Sequence, residues 1–334
     1  MNNMKKKLIL IVSLVLTLAL LLGGAFLYAK SVGFFHRGDI TGYAAEHPYN
    51  GREIPSMHLR DNGTFVILKF TDTHFTTGKS LRDAKILRGM EAALERARPD
   101  LAVITGDMLD SWGHTFVDKR AALCAVADLF ERRAQPWAYV PGNHDGCDLG
   151  SERDVAAYLA HNYEYAVLSN EEGLTGATQY AIPVLYDDGN IAHKLIFLDS
   201  LAEEDEPDEN EIWHQESMHP DQVAWLAAQL ETLKAQAPAA RASVFFHFET
   251  PALTEATEPD NWNPWSPAGN AAIDDVIRAA GNVGMLSTGH WHQDHIAFQN
   301  RMYYHVSRNL SAWQITIRPG NETPQDMYSF EEIK

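Results

Sequence analysis

Five short segments carry side chains that ligate metal ions or handle anionic oxygen: Asp72 with His74, Gly106-Asp107, Gly142-Asn143-His144-Asp145, His247, and Gly289-His290-Trp291-His292. Carboxylates, imidazoles and one neutral amide form a mixed oxygen and nitrogen donor set that suits Mn, Fe or Zn, and no thiolate belongs to it. Asp72 and His74 are two apart just beyond a β-rich run, so extended chain would point both to one side, as one cation requires. Asp107 follows an apolar run and Gly106, which places it at the carboxyl edge of a strand, where open α/β sheets build their sites; its two oxygens can bridge two cations. Asp110 either hydrogen-bonds a ligand or orients a histidine, or caps a helix. Asn143 offers an amide oxygen, and His144 beside it can face a substrate. Asp145 either holds His144 in one tautomer and raises its pKa or is an ordinary turn carboxylate. A charged His144 would stabilise or protonate a phosphoryl oxygen. His247 alone reads as a core histidine. His290 and His292, two apart after another apolar run with Gly289 giving the backbone room, shift it toward ligation. Trp291 is expected to pack, and His295 lies either near a ligand or on the surface.

Charge decides what such a site would attract. Two divalent cations against two carboxylates and neutral imidazoles leave about +2, or +1 with a bridging hydroxide, which draws an anionic phosphate and lowers the pKa of bound water. Cations ~3.5 to 4 Å apart would clamp both attacking and leaving oxygens.

The elements that must position these groups alternate. Thr64 to Phe70 reads as a strand and Ser80 to Arg98 as a helix, with Ile86, Met90, Ala93, Leu94 and Ala97 on one face. The order recurs: Leu101 to Thr105 strand, Asp118 to Arg133 helix, Trp137 to Val140 strand, Lys194 to Leu198 strand, Asp221 to Ala235 helix, Ser243 to Phe246 strand, Ala271 to Ala280 helix, Val283 to Ser287 strand, and Tyr303 to Val306 as a further strand. This is a layered α/β arrangement. We read residues 1–30 as a membrane segment, 31–63 as a stalk and 64–334 as one catalytic domain.

Lys5, Lys6 and Lys7 precede a weakly polar to apolar run from Leu8 to Ala29, ~33 Å long as a helix and thus about one hydrocarbon core. The lysines would stay on the cytoplasmic side, with everything after Lys30 outside. The reading followed here is an uncleaved anchor, because the run exceeds a signal-peptide core; cleavage near Gly23 and Ala25 is its alternative. The net charge of −18 argues against a nucleic-acid polymer as partner. Cys124 and Cys147, the two cysteines of the chain, make no disulfide framework. The acidic tract Glu203 to Glu211 reads as a solvated loop over the site rim. Trp112, His114, Trp213, His214, Trp262 and Trp265, all between strands, either contact substrate or cover the core.

In their order and spacing these motifs resemble the calcineurin-like metallophosphoesterase superfamily from about Phe65 to about His295, and Phe70-Thr71-Asp72, Val103 to Asp107, Leu198-Asp199-Ser200 and Gln222 to Leu226 are similar to its branch related to purple acid phosphatases. The resemblance implies a four-layer α/β/β/α sandwich of two mixed sheets, here behind one N-terminal transmembrane helix. It implies one metal on Asp72, His74, Asp107 and His292, a second on Asp107, Asn143, His247 and His290, and a leaving-group role for His144. Asp110 stands where purple acid phosphatases of plants and mammals carry a tyrosine, and Trp291 and Gln293-Asp294 depart from the usual Gly-His-Asp-His-x-Asn-Asp pattern. The reading is a metallophosphoesterase cleaving small phosphate mono- or diesters. A nucleotide pyrophosphatase or nuclease of the same fold, and a silent metal-binding scaffold, stay open beside it.

Overall fold

The computed structural model describes residues 3–31, 39–111, 119–146, 149–202, 217–257, 270–320 and 323–334. Helix α1 (Asn3–Ser31) carries the apolar run, is exposed along its length, and is long and apolar enough to cross a membrane. Then come α2 (Tyr43–Glu46), β1 (Met57–His58), β2 (Phe65–Phe70), α3 (Leu81–Ala97), β3 (Leu101–Thr105), α4 (Lys119–Arg132), β4 (Trp137–Val140), α5 (Glu152–Asn162), β5 (Gln179–Leu185) and β6 (Ile191–Leu198). The chain continues through α6 (Pro220–Gln236), β7 (Arg241–Phe245), α7 (Pro251–Thr257), α8 (Ala271–Ala280), β8 (Val283–Thr288), β9 (His295–Gln299), β10 (Met302–Val306), β11 (Trp313–Ile317), α9 (Pro324–Met327) and β12 (Tyr328–Glu332).

Two mixed sheets result, a seven-stranded one ordered β1-β5-β6-β7-β8-β10-β9 and a five-stranded one ordered β12-β11-β2-β3-β4. Side-chain alternation explains how they stack. On β6, Leu195 and Phe197 join one core cluster with Phe65, Ile67 and Ile315 of the smaller sheet, while Ile196 and Leu198 turn to a second cluster with Leu226, Leu230, Ile273 and Ile277 of α6 and α8. The first cluster also takes in Met90 and Leu94 of α3 and Leu123 and Phe130 of α4. The layers are therefore helices, sheet, sheet, helices, as the family resemblance implied.

β2, β3 and β4 run parallel in one sheet, and β6, β7 and β8 in the other, with registers such as Ile67 opposite Leu101 and Leu195 opposite Ser243. Their crossovers contain α3, α4, α6 and α8, the long connections that parallel pairing requires. Every segment singled out for chemistry follows the carboxyl end of one of these strands.

The stretch read as a stalk packs on the domain from residue 39 onward. Ile40 and Tyr49 are buried, the Ile40 amide donates to Leu149 O at 2.8 Å, Tyr49 Oη donates to Ala177 O at 2.6 Å, and β1 pairs in parallel with β5. Its mixed composition hid three apolar anchors, Ile40, Tyr49 and Met57, which have no common period. Cys147, the acidic tract and the six tryptophans and histidines proposed around the rim lie outside the described residues.

Candidate metal centre

The turns that follow β2 and β3 run side by side. Asp72 N donates to Gly106 O at 3.0 Å, His74 N to Asp107 O at 3.0 Å, and Phe75 N to Met108 O at 2.8 Å. The chain is not extended there, contrary to the expectation from spacing alone. Asp72, His74, Asp107, His290 and His292 all have positive φ, between 46° and 67°, a region that non-glycine residues enter rarely and at a cost of order 1–3 kcal/mol each. The glycines beside them allow close approach. A Cβ on Gly289 would strike Thr71 Oγ1 and Asp72, one on Gly142 would strike Asp107, and one on Gly106 would strike the His247 ring.

Three groups of ligating atoms result: Asp72, His74 and His292; His74, Asp107 and His144; and Asp107, His247 and His290. Asp107 joins them. Its Oδ2 lies 3.3 Å from His247 Nε2, 3.8 Å from His144 Nε2 and 3.9 Å from His74 Nε2, while Oδ1 accepts from the His144 amide at 2.9 Å. Asn143 Oδ1 is 3.2 Å from His247 Nε2. In the other group His292 Nε2 is 3.1 Å from Asp72 Oδ1 and 3.2 Å from His74 Nε2. Donors held ~2.0–2.2 Å from one cation stand about 3–3.5 Å apart, so the separations of His247 from Asp107 and Asn143, and of His292 from Asp72 and His74, fit ligand polyhedra.

The donor chemistry makes the same point. His247 Nδ1 donates to Thr105 O at 2.8 Å, leaving the lone pair of the neutral ring on Nε2, facing the oxygens of Asp107 and Asn143. Lone pairs pointed at one another in a buried pocket need a proton or a cation between them. Without a cation, a proton would have to take that place. Burial alone would lower His247, but the Asp107 carboxylate lifts it to about 10. Burial opposes the charge of Asp107, yet the surrounding imidazoles, His247 foremost, hold its carboxyl far below the usual range. The hydrogen bond to Asp72 raises His292, whereas burial lowers His74 and pushes His290 down to about 3.

The structure brings Asp72, His74, Asp107, Asn143, His144, His247, His290 and His292 to one end of both sheets. Asp145 is adjacent but differs from the tautomer-holding expectation: its carboxylate accepts from the amides of Leu109 at 2.8 Å and Gly142 at 2.9 Å. It braces the turn after β4 against the turn after β3, and burial pushes it up to about 7. His144 Nδ1 instead meets the hydroxyl of Ser111, a residue the motif reading passed over. Asp110 is half-buried, its amide donating to Phe75 O at 3.0 Å. Trp291 packs on the second core cluster, and His295 opens β9 with Nε2 3.2 Å from Gln293 Oε1.

Sequence reasoning also missed supports beneath the ligands. Ser200 Oγ accepts from the amides of His247 at 3.3 Å and Phe248 at 3.0 Å, and Thr71 Oγ1 donates to Asp72 Oδ2 at 2.6 Å. Lys69, fully buried, donates to the Thr288 carbonyl just before the His290 turn, and burial pushes its ammonium down to about 7. An exposed-looking lysine in an apolar strand was the available signal, since a central strand buries both faces.

Comparison with known proteins places these features. The sequence model of calcineurin-like phosphoesterases matches residues 65–294. A probable inactive purple acid phosphatase 28 from Arabidopsis thaliana is 32% identical over 117 residues, which are 31% of this chain and 29% of that protein, so the chain aligns with under a third of that relative. The crystal structure of a dimetal phosphatase from Danio rerio superposes with a TM-score of 0.52 at 14% identity, covering 81% of this chain and 99% of that one, a likeness of fold.

Proposed function

Since the chain belongs to the calcineurin-like phosphoesterase family, we propose that it hydrolyses small phosphate mono- or diesters at a dinuclear metal centre held by Asp72, His74, Asp107, Asn143, His247, His290 and His292. The single observation that carries this reading is Asp107 Oδ2, one carboxylate oxygen facing His247, His144 and His74 from the middle of the site. When bound, two divalent cations there supply Lewis acidity toward a phosphoryl oxygen and toward a water.

The chain's own residues supply the rest. Burial of Asp107 and His247 keeps the surrounding dielectric low, which strengthens each charge interaction with a phosphoryl dianion. His144, with a side chain 14% exposed, stands at the open side of Asp107, within reach of a leaving oxygen. Its Nδ1, held by Ser111, leaves Nε2 to carry the proton delivered to that oxygen. The lysines in the first turns of α1, Lys5 to Lys7, support a domain on the extracytoplasmic side of a membrane.

The test uses the full chain loaded with Mn, Fe or Zn. Turnover of p-nitrophenyl phosphate or its bis ester is expected, and His144→Ala should cost more with phenyl phosphate, whose leaving group needs the proton, than with p-nitrophenyl phosphate. Equal losses on both would remove His144 from leaving-group protonation. The relative's description as inactive favours one second reading, a silent metal-binding scaffold, which stoichiometric metal without turnover on any phosphoester or nucleotide would establish.

A further inference from the structure

The chain carries a net charge of −18, yet residues 79–88 gather Lys79, Arg82, Lys85 and Arg88 against a single acid, Asp83. All four cations are exposed, as is Leu81 at 79%. Asp83 is buried and turned inward, accepting from the amides of Thr77 and Gly78 at 2.9 Å each. Behind these cations a groove of about 840 Å³ runs between α3 and the chain around β12, floored by Phe70, Ile86, Met90, Ala312 and Ile333. Along α3 it extends from Arg82 to Arg96, ~21 Å at 1.5 Å per residue. One leaflet of hydrocarbon, and so one acyl chain, is about 15 Å deep.

The two ends differ in charge. At the far end Arg96 pairs with Glu331 at 3.2 Å, and on the wall across from α3 Arg308 pairs with Asp294 and Glu332 at 2.8 Å each. At the near end Lys85 has no ion-pair partner among the described residues, and Arg82 donates to the carbonyls of His74 at 2.5 Å and Thr73 at 3.4 Å and pairs with the buried Asp83 at 3.4 Å. That end also faces the membrane segment. Tyr28, near the end of α1, accepts from the Leu81 amide at 3.2 Å, and the eight steps from residue 31 to residue 39 reach less than about 30 Å even fully stretched.

We propose that this groove binds an anionic phospholipid of the surrounding membrane, one acyl chain along the apolar floor and the phosphate at Arg82 and Lys85. Cations near an anionic leaflet each contribute on the order of 1 kcal/mol, and an apolar channel beside them gives the tail a place that a purely electrostatic contact lacks. The site stands whether or not the metal centre turns over.

The full chain reconstituted in liposomes with a phosphatidylglycerol carrying a photoactivatable acyl chain tests it, the adducts being located by mass spectrometry. Adducts are expected on peptides from Leu81–Ala97 and around Ile333, in addition to α1. Gly89 opens on the groove with nothing within 4 Å of where its Cβ would stand; Gly89→Trp fills the channel while replacing the poorest non-proline helix former. It should reduce groove labelling about tenfold, whereas Gly89→Ala should not. Lys85→Glu, changing two units of charge, should reduce it by on the order of tenfold. Labelling confined to α1, unchanged in Gly89→Trp, or equal with phosphatidylcholine would overturn the proposal. Metal content equal to that of the parent chain shows that the variants are folded.

Discussion

The two halves of the candidate metal centre are built differently. Around Asp72, His74 and His292 every ligand sits on left-handed backbone, and the His292 side chain is 44% exposed. Around Asp107 and His247 the side chains are 2% and 0% exposed, His247 is tied to Thr105 through one nitrogen and to Ser200 through its amide, and of these two only Asp107 has left-handed backbone. Left-handed turns occur in both halves, at Asp107 and His290 as well, so what separates them is solvent: the first opens at His292, whereas Asp107 and His247 are held by hydrogen bonds in a dry interior. A pre-oriented, desolvated donor set binds more tightly and exchanges more slowly than one whose ligands move in solvent. The buried half should therefore retain its ion longer, and the open half should be where substrate and solvent enter.

That comparison can be broken most decisively at the residue both halves share. Asp107→Ala is expected to remove both ions and more than about 10³-fold of the hydrolytic rate, since ions of this kind supply several kcal/mol and each tenfold is 1.36 kcal/mol; a variant retaining two ions by elemental analysis would end the idea of a bridge. His292→Ala should leave one ion per chain, and His247→Ala should lose the tighter one. Identical residual affinities in calorimetry would show the halves to be equivalent. Exposure to a chelator should strip metal in two phases, with the slow phase absent from His247→Ala. Gly289→Ala, whose methyl meets Thr71 and Asp72, is expected to weaken metal binding by about 10- to 100-fold, the range seen when the support of a ligand is lost.

One further effect lies outside both halves and separates metal retention from general stability. Asp199, buried after β6, accepts from Ala177 N at 2.6 Å and Leu201 N at 2.8 Å, and burial raises it from 3.8 to about 7. The folded chain thus holds this proton longer than the unfolded chain. Its contribution is most favourable below pH ~4, is lost as pH rises toward 7 and is flat above, with a slope of at most ~1.4 kcal/mol per pH unit. Denaturant midpoints of the chelated protein between pH 5 and 8 check this, and a contribution that grows with pH across that window would refute it.

Several features were readable because one residue or a short period carries them. The apolar run of α1, the strand at Leu101–Thr105, the helix Leu81–Ala97 with Ser80 accepting from the Asp83 amide at 3.0 Å, and the histidine and aspartate spacings are all local. β11, β12 and β9 were not read, because Trp313–Ile317 and Tyr328–Glu332 mix polar and apolar residues and become strands through pairing with β2 and with each other. Asp145 looked like a partner of His144 because it is next in sequence, but the turn after β4 points it at Leu109 instead.

The amino-acid order by itself determined the donor types, their sequence along the chain and an apolar N-terminal segment of membrane length, since each is a property of composition over a few residues. Only the tertiary structure decided which donors meet. Asp72 and Asp107 come from one sheet, His247 and His290 from the other, and their convergence depends on two sheets stacking with the same strand ends together. It depends also on left-handed turns at aspartate and histidine, a conformation that neither residue type specifies and that packing alone can hold in place.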